Sequence, residues 1–150
     1  MDRMSYKYTE SGLDNVVIHN MDVVEDDTGE LVYSIKNLIG LHKVIAHSII
    51  TRDTGIQPNE LRFLRTEIGL TQSELAKRVN KDAQTVGRWE RGECPIDPNA
   101  ELVIRMLAAE RLDIDTNMSV EELIEKCVPA AKLRPIEIDG SDPENYRLVA

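Results

Sequence analysis

The sequence contains only two cysteines, few aromatic residues (4%) and no apolar run approaching the roughly 18 residues that cross a bilayer. Cys94 and Cys127 are too few for a disulfide framework or a thiolate metal site. The three histidines, His19, His42 and His47, lack the three- or four-residue spacing of a helical metal-ligand pair. The first residues contain no apolar stretch typical of a signal peptide. These absences predict a cytoplasmic protein with no metal and with reduced, structurally incidental cysteines.

Signatures of catalysis are also missing. There is no G-x-S-x-G, no phosphate-binding glycine loop and no Cys–His nucleophile pattern. Few aromatic residues are available for a platform that stacks single-stranded nucleic acid. Hydrophobic residues make up 41% and charged residues 30%, which is typical of a globular domain. The sequence therefore predicts no enzyme, no catalytic residues and no cofactor.

Negative charge dominates the chain but is unevenly distributed. The net charge is −9, from 18 basic and 27 acidic residues. Residues 1–55 carry 5 basic and 9 acidic side chains, residues 97–150 carry 6 and 12, and residues 56–96 carry 7 and 6. Only the middle segment is not acidic, so DNA binding is permitted there, although the charge alone does not demonstrate it.

Three segments are predicted, and the fold class is mainly α with a small β part. Residues 1–55 form a small β-meander plus one helix and serve as a partner or dimerisation region. Residues 56–112 form a helical DNA-binding domain, and residues 113–150 a short helix followed by an extended stretch. Turn residues separate the strands, whereas apolar residues spaced three and four apart indicate the helices.

In the first segment, Asn15–His19 is predicted as a strand that ends in a polar turn at Asn20–Asp22. Alternating Leu31, Tyr33 and Ile35 predict a half-buried strand. A helix is then predicted from about residue 36 to residue 52. Its buried stripe is expected to contain Leu38, Leu41, Ile45 and Ile49.

Helix signals then follow one another closely. Pro58 suits a first helical turn, and Thr71 with Glu74 forms a capping box. Asp82 can cap a third helix that Gly92 ends, and Asp97-Pro98 begins a fourth. Ser119 with Glu122 predicts one more helix, to about Cys127. In the fourth helix, one face that is expected to be core or a dimer seam contains Leu102, Val103, Met106 and Leu107.

Residues 69–92, G-L-T-Q-S-E-L-A-K-R-V-N-K-D-A-Q-T-V-G-R-W-E-R-G, meet the requirements of a helix-turn-helix. Ala76 supplies the small side chain needed where two helices cross. Asn80 tolerates the left-handed backbone of the turn. Apolar residues are predicted to point inward against the preceding helix; they are Leu61, Leu64, Leu75, Val79, Val86 and Trp89.

This segment resembles the DNA-binding domain of the lambda-repressor/Cro (XRE) family of bacterial and phage regulators. The G-L-T-Q-x-x-L-A opening and the V-x-x-W-E-x-G closing carry the resemblance, which extends over residues 58 to about 110. It implies a five-helix domain whose third helix reads the major groove. It also implies a sequence-specific transcriptional regulator, expected to be a repressor that binds double-stranded DNA as a homodimer on a palindrome.

The resemblance assigns roles to individual residues. Gln72 contacts a phosphate and braces the recognition helix, Gln84 reads adenine, and Arg88 reads guanine or falls back on a phosphate. Ala83 offers a methyl to thymine, and Arg65 with Glu90 forms a partly buried salt bridge. The remaining candidate DNA-binding residues, most of them for phosphates, are Ser73, Lys81, Asp82, Thr85 and Arg91.

Structural explanations compete with several of these roles. Trp89 is expected to be a core residue, and Lys77 and Arg78 an exposed helix face. Gln84 and Arg88 are also open to interpretation as ordinary solvated residues.

Other functions stay open. Residues 8–16 resemble the opening of small regulators related to the MqsA-type antitoxins, whose zinc site lies in a cysteine-rich N-terminal region. No cysteine precedes Cys94 here, so that zinc role is not carried over. The alternative function is an antitoxin that binds a toxin through an acidic flank and represses its own operon. A protein-interaction module that uses the helix-turn-helix only as a scaffold is a further alternative.

Overall fold

The computed structural model describes residues 3–128 and 135–149, and the chain divides into two compact units. The sheet unit comprises Met1–Ile45 and Arg134–Ala150, and the helical unit comprises Ala46–Leu133. The division differs from the three predicted segments because the C-terminal chain is shared between the two units. Residues 129–134 of the predicted C-terminal segment lie outside the described residues.

Six helices and five strands occur in the described residues, so the predicted class, mainly α with a small β part, is confirmed. The five helices predicted after residue 56 are present, but the last begins beyond residue 112. The helices are α1 (Leu38–Thr51), α2 (Pro58–Glu67), α3 (Gln72–Arg78), α4 (Ala83–Glu90), α5 (Pro98–Arg111) and α6 (Val120–Lys126). The strands are β1 (Arg3–Lys7), β2 (Val16–Glu25), β3 (Leu31–Tyr33), β4 (Ile136–Asp139) and β5 (Arg147–Leu148).

The sheet has the order β1-β2-β4-β5, with β3 paired to the far end of β2. Strand β4 runs parallel to β2, with Val16 opposite Ile136, whereas the other pairs are antiparallel. Strands β1, β2 and β3 pair antiparallel in chain order, as the predicted N-terminal meander requires. The prediction is wrong only in its extent, since a C-terminal strand also pairs directly with β2. Apolar burial holds the two together, because Ile18 and Ile138 lie opposite each other and are both fully buried.

Strand β2 is continuous, so the predicted turn at Asn20–Asp22 is also wrong. Asn20 adopts a positive φ of 61°, which asparagine tolerates better than most residues. Its side chain donates a hydrogen bond to Asp139 (3.2 Å), and the register of the facing β1 shifts between Met4 and Tyr6. The local irregularity is absorbed within the ladder instead of ending the strand.

The alternation of Leu31, Tyr33 and Ile35 does not produce a half-buried strand of that length. Strand β3 has three residues, and Leu31 is 58% exposed, because β3 pairs only with the end of β2 in the part of the chain described. Leu38, predicted in the buried stripe of α1, is 49% exposed at the first residue of that helix. The rest of the predicted stripe, from Leu41 to Ile49, is fully buried.

The buried face of α5 is not the one predicted. Ala100, Ile104 and Ala108 point inward, whereas Val103 and Met106 are 39% and 42% exposed. The predicted core role of the Val103 and Met106 face is therefore wrong. A charged pair, Glu101 and Arg105, shares the buried face with these residues.

Arg105 is fully buried and joins three parts of the helical unit. Its guanidinium donates to the carbonyl oxygen of Ile50 (3.0 Å) in the last turn of α1, and to those of Arg52 (2.8 Å) and Thr54 (2.7 Å) just beyond it. It also donates to the carbonyl oxygen of Lys126 at the end of α6 (3.2 Å) and to the Glu101 carboxylate (3.1 Å). These bonds give donors to carbonyl oxygens at or near the C-terminal ends of α1 and α6.

Candidate nucleic-acid interface

Helices α3 and α4 form the predicted helix-turn-helix, and local side chains fix both helix starts. The Thr71 hydroxyl accepts from the Glu74 amide, and the Glu74 carboxylate accepts from the Thr71 amide, each at 3.1 Å. Asn80 lies in the turn with a φ of 57°, as expected for a left-handed residue. Asp82 caps α4 by accepting from the Thr85 amide at 2.8 Å.

The inner faces of the two helices close a small apolar core. Trp89 is only 3% exposed, so the structure places it in the core as expected. Ala76, at 1% exposure, provides the small inward-facing side chain. The other predicted inward residues are buried as well: Leu61, Leu64, Leu75, Val79 and Val86.

A polar network braces the end of α4. Arg65 of α2 donates to both carboxylate oxygens of Glu90, with Nε–Oε2 at 2.6 Å and Nη2–Oε1 at 3.0 Å. Its Nη1 also donates to the carbonyl oxygen of Leu70 at 3.0 Å, and Gln72 Nε2 donates to Glu90 Oε1 at 3.1 Å. The Arg65 and Glu90 side chains are 14% and 4% exposed, so the pair has the partly buried character predicted for it. Bidentate contact fixes the orientation of α4 as well as its position.

Gly87 of α4 faces the side chains of Gln72 and Arg91. A Cβ atom added at Gly87 would lie 3.5 Å from Gln72 Oε1 and 3.0 Å from Arg91 Nη1. A glycine inside a helix costs about 1 kcal/mol relative to alanine. The distance to Gln72 is ordinary van der Waals contact, and the Arg91 atom is the far end of a flexible side chain, so these contacts do not by themselves require glycine at this position.

The outer face of α4 carries the residues predicted to read bases. Gln84 and Arg88 are exposed and one helical turn apart, and Ala83 is half-buried at the first turn. Ser73 on α3 and Lys81 in the turn are also exposed. These side chains are available to a ligand, whereas Val86, Gly87 and Trp89 of the same helix are buried.

Three predicted DNA-contacting residues have local partners, of which only the cap formed by Asp82 is predicted from the sequence. Arg91 Nε donates to Glu93 Oε2 at 2.6 Å, and both side chains are more than half exposed. The Thr85 hydroxyl donates to Asp82 Oδ1 at 2.7 Å. The Thr85 hydroxyl and amide lower the pKa of Asp82 because both donate to its charged form. Asp82 is therefore a helix cap first, and Arg91 must exchange one partner for another in order to bind a phosphate.

The helix-turn-helix itself is more basic than the chain around it. Residues 72–91 hold five basic and three acidic side chains, a net charge of +2 within a chain of −9. One of the three carboxylates, Glu90, points inward to Arg65. The surface charge of α3 and α4 is thus compatible with a phosphate backbone.

Other kinds of site are not apparent in residues 3–128 and 135–149. No group of three or more His, Cys, Asp or Glu side chains in this part of the chain is arranged to hold a metal ion. No helix there is long and apolar enough to cross a membrane. Cys94 and Cys127 are both free thiols, and burial raises the pKa of the Cys127 thiol to about 12.

Comparison with known families agrees with the geometry. Residues 61–116, from α2 to just beyond α5, match the Helix-turn-helix family. No curated protein and no solved structure matches the chain. The match identifies a helix-turn-helix domain of the lambda-repressor/Cro (XRE) type. The protein is accordingly a DNA-binding transcriptional regulator.

Proposed function

We propose that the protein is a repressor that acts in the cytoplasm as a homodimer and reads a palindromic site with α4. One observation carries this proposal: Gln84 and Arg88 are exposed on one face of α4, while Val86 and Trp89 anchor the opposite face in the core. A helix held in this way can enter the major groove while α3 crosses the phosphate backbone.

Base reading is assigned to three side chains of α4. The Gln84 amide N–H can donate to N7 of adenine while its oxygen accepts from the N6 amino group, which is the bidentate pattern that an amide provides. The Arg88 guanidinium can donate to O6 and N7 of guanine. Ala83 contributes a methyl that suits the thymine methyl group. These three contacts would specify a short half-site.

Phosphate contacts are assigned to side chains at the ends of the two helices. Lys81 is exposed in the turn, and Ser73 is exposed on α3. Gln72 Nε2 donates one hydrogen to Glu90, and its second N–H can donate to a phosphate. Thr85 and Arg91 join this set once their local bonds to Asp82 and Glu93 rearrange. Phosphate contacts supply affinity without sequence information, so they should make binding fall steeply with salt.

Dimerisation is assigned to the outer face of α5. Leu102 and Leu107 are half-buried there, and Val103 and Met106 are exposed, which leaves an apolar stripe uncovered. Helix α6 has a second stripe, but its exposed Ile124 lies beside Glu121, Glu122 and Glu125. Pairing two α6 helices would bring these carboxylates together, so the α5 stripe is the better seam.

Fluorescence anisotropy with DNA from the protein's own upstream region tests base reading. We expect the wild type to bind one stretch tightly, and Gln84→Ala or Arg88→Ala to cost about 1–3 kcal/mol there while changing non-specific binding less. Arg62→Ala, which removes an exposed arginine from α2, is the charge-matched control. If the wild type binds all DNA equally weakly, the repressor proposal fails and the interaction-module alternative gains support.

Sedimentation equilibrium tests the seam. Met106→Glu should convert the dimer to a monomer and weaken operator binding, because it places a charge in an apolar contact. Ile124→Glu on α6 should leave the dimer intact. The reverse pattern would move the seam to α6, and a wild-type monomer at micromolar concentration would contradict the homodimer.

An antitoxin remains the second candidate, and the acidic sheet unit favours it. That role requires a protein-binding surface outside α3 and α4, so that DNA and toxin can be bound by different residues. A small basic open reading frame in the same operon would support the antitoxin candidate, and its absence would count against it.

A further inference from the structure

An exposed apolar surface of the sheet unit lies on a two-stranded hairpin, Val23–Tyr33, formed by the end of β2 and by β3. Every residue from Val24 to Val32 is exposed, including three large aliphatic side chains. Val24 is 53%, Leu31 58% and Val32 44% exposed. Val24 and Val32 lie opposite each other in the register, so they form one aliphatic pair on one face, with Leu31 on the other.

The hairpin is ordered by its own turn and base. Asp26 Oδ1 accepts from the amides of Thr28 and Glu30, each at 2.9 Å. At the base, the Tyr33 ring stacks on the Tyr6 ring with centroids 4.5 Å apart. In the part of the chain described, β2 pairs with β3 alone at Val23–Glu25. A ribbon of two strands is only marginally stable in water, so covering its aliphatic pair would stabilise it.

The charge around the aliphatic pair restricts what can cover it. Four carboxylates, Glu25, Asp26, Asp27 and Glu30, lie between Val24 and Val32, and no Lys or Arg occurs between Lys7 and Lys36. Two copies of the hairpin would bring eight carboxylates together, which opposes self-association through this surface. Nucleic acid would be repelled for the same reason. Acidic groups on an exposed edge also suppress aggregation between copies of the chain. Of the possible occupants, a partner with basic residues is therefore the one that this charge favours.

We propose that the hairpin is a docking surface for a partner protein that presents an aliphatic strand or ridge flanked by lysine or arginine. The Val24–Val32 pair provides the apolar contact, and Glu25, Asp27 and Glu30 provide the complementary charge. Asp26 is excluded from this role because its carboxylate holds the turn. A toxin of basic character would be one partner of this chemistry. The surface shares no residue with α3 or α4, so its function is separable from DNA reading.

A hollow beside Val24 gives the partner a place for an anchoring side chain. It has a volume of about 140 Å³ and is lined by Met21, Val24, Pro143 and Tyr146, with Asp22 and Lys36 at its polar margin. Apolar anchors that fill a small pocket usually carry much of the binding energy in such interfaces. A single aliphatic side chain of the partner entering beside Val24 would extend the contact beyond the hairpin.

The test uses the full chain and a fluorescein-labelled peptide of alternating lysine and valine as the basic aliphatic probe. We expect saturable binding to the wild type at physiological ionic strength. V24S/V32S should weaken it at least about tenfold, and D27N/E30Q about threefold or more. The matched control is L38S/I39S, which removes two exposed aliphatic residues of α1 in the same unit and should change the affinity less than about twofold.

Chemical-shift mapping places the contact, and two further peptides separate its causes. Chemical-shift changes should concentrate in Val23–Tyr33. A peptide of alternating Glu and Val lacks the positive charge, and one of alternating Lys and Ser lacks the aliphatic groups, so each should bind at least about tenfold more weakly. Equal binding by V24S/V32S and the wild type, or shifts outside the hairpin, would overturn the proposal. Self-association abolished by V24S/V32S would instead make a second copy the occupant. The affinity of V24S/V32S for the operator DNA should equal that of the wild type, because the hairpin shares no residue with α3 or α4. A loss of peptide binding in this variant is then distinct from a failure of DNA reading.

Discussion

The two units of the chain differ in how far apart in sequence their stabilising contacts lie. In the helical unit, α3 follows α2 directly, and the Arg65–Glu90 pair spans 25 residues. In the sheet unit, the ladder between β2 and β4 joins Val16 to Ile136. The first kind of contact is built from capping boxes, turns and apolar spacing that each occupy a few residues. The second depends on two distant strands that leave no local sign of their pairing.

The units also differ in what they bury. The helical unit encloses three close charged pairs: Arg52 with Glu60, Arg65 with Glu90, and Arg105 with Glu101. Among the described residues of the sheet unit, Asn15 is buried but no Asp, Glu, Lys or Arg is. Buried charges confer orientation more than stability, because their attraction must offset the loss of hydration. The helical unit, which positions α4, is thus the unit that contains the buried, directional charged contacts.

Removing Arg105 should produce the largest effect and would test this contrast most strongly. Arg105→Met leaves Glu101 buried without its charge partner and several carbonyl oxygens without donors, so we expect a loss of about 3–5 kcal/mol. Urea denaturation followed by the fluorescence of Trp89, the only tryptophan, measures the free energy of unfolding of the helical unit.

Arg111→Met is the matched control for that experiment. Arg111 lies at the exposed end of the same helix and makes one bond, at 3.2 Å, to the carbonyl oxygen of Ile68. Its replacement should cost less than about 1 kcal/mol. Equal losses in the two variants would mean that the buried network contributes no more than an ordinary surface arginine.

How much the sequence could predict follows the same division. The helix-turn-helix can be predicted from Thr71, Asn80 and Asp82, because helix capping and left-handed turns depend on single residues with strong local preferences. Arg65 and Glu90 were anticipated through the family resemblance. The burial of Arg105 was not predictable, since Glu101 and Arg105 at four-residue spacing also suit an exposed surface pair. The parallel pairing of β4 with β2 was equally hidden, because alternating residues show a strand but not its neighbour.

Truncating a side chain in the β2–β4 ladder should have the second largest effect and sharpen the comparison from the other side. Ile138 is fully buried, so Ile138→Ala should cost about 2–4 kcal/mol through lost burial and a cavity. Leu148, its antiparallel partner on β5, is 38% exposed, and Leu148→Ala is the matched control with a smaller expected loss.

Native-state amide exchange locates the loss caused by Ile138→Ala. Protection should fall in β2 and β4, while α2 to α5 keep theirs. A uniform loss of protection across both units would show that they unfold together, which would contradict the division between locally and distantly stabilised units.

The smallest expected effect is a pH dependence at the start of α4. Hydrogen bonds donated by Thr85 hold the pKa of Asp82 in the folded protein below its ordinary value. The cap therefore contributes its full stability at pH values above the pKa of Asp82 in the unfolded chain. This contribution is lost as the pH falls through the lower pKa of Asp82 in the folded protein. Asp82→Asn keeps a capping oxygen without a charge, so thermal denaturation from pH 7 to pH 2 should show the wild type losing its advantage over this variant only in acid. Asp97→Asn is the control, because the side chain of Asp97 makes no cap bond at the start of α5. An identical pH profile in both variants would mean that general charge, and not the Asp82 cap, sets the acid sensitivity of the DNA-reading helix.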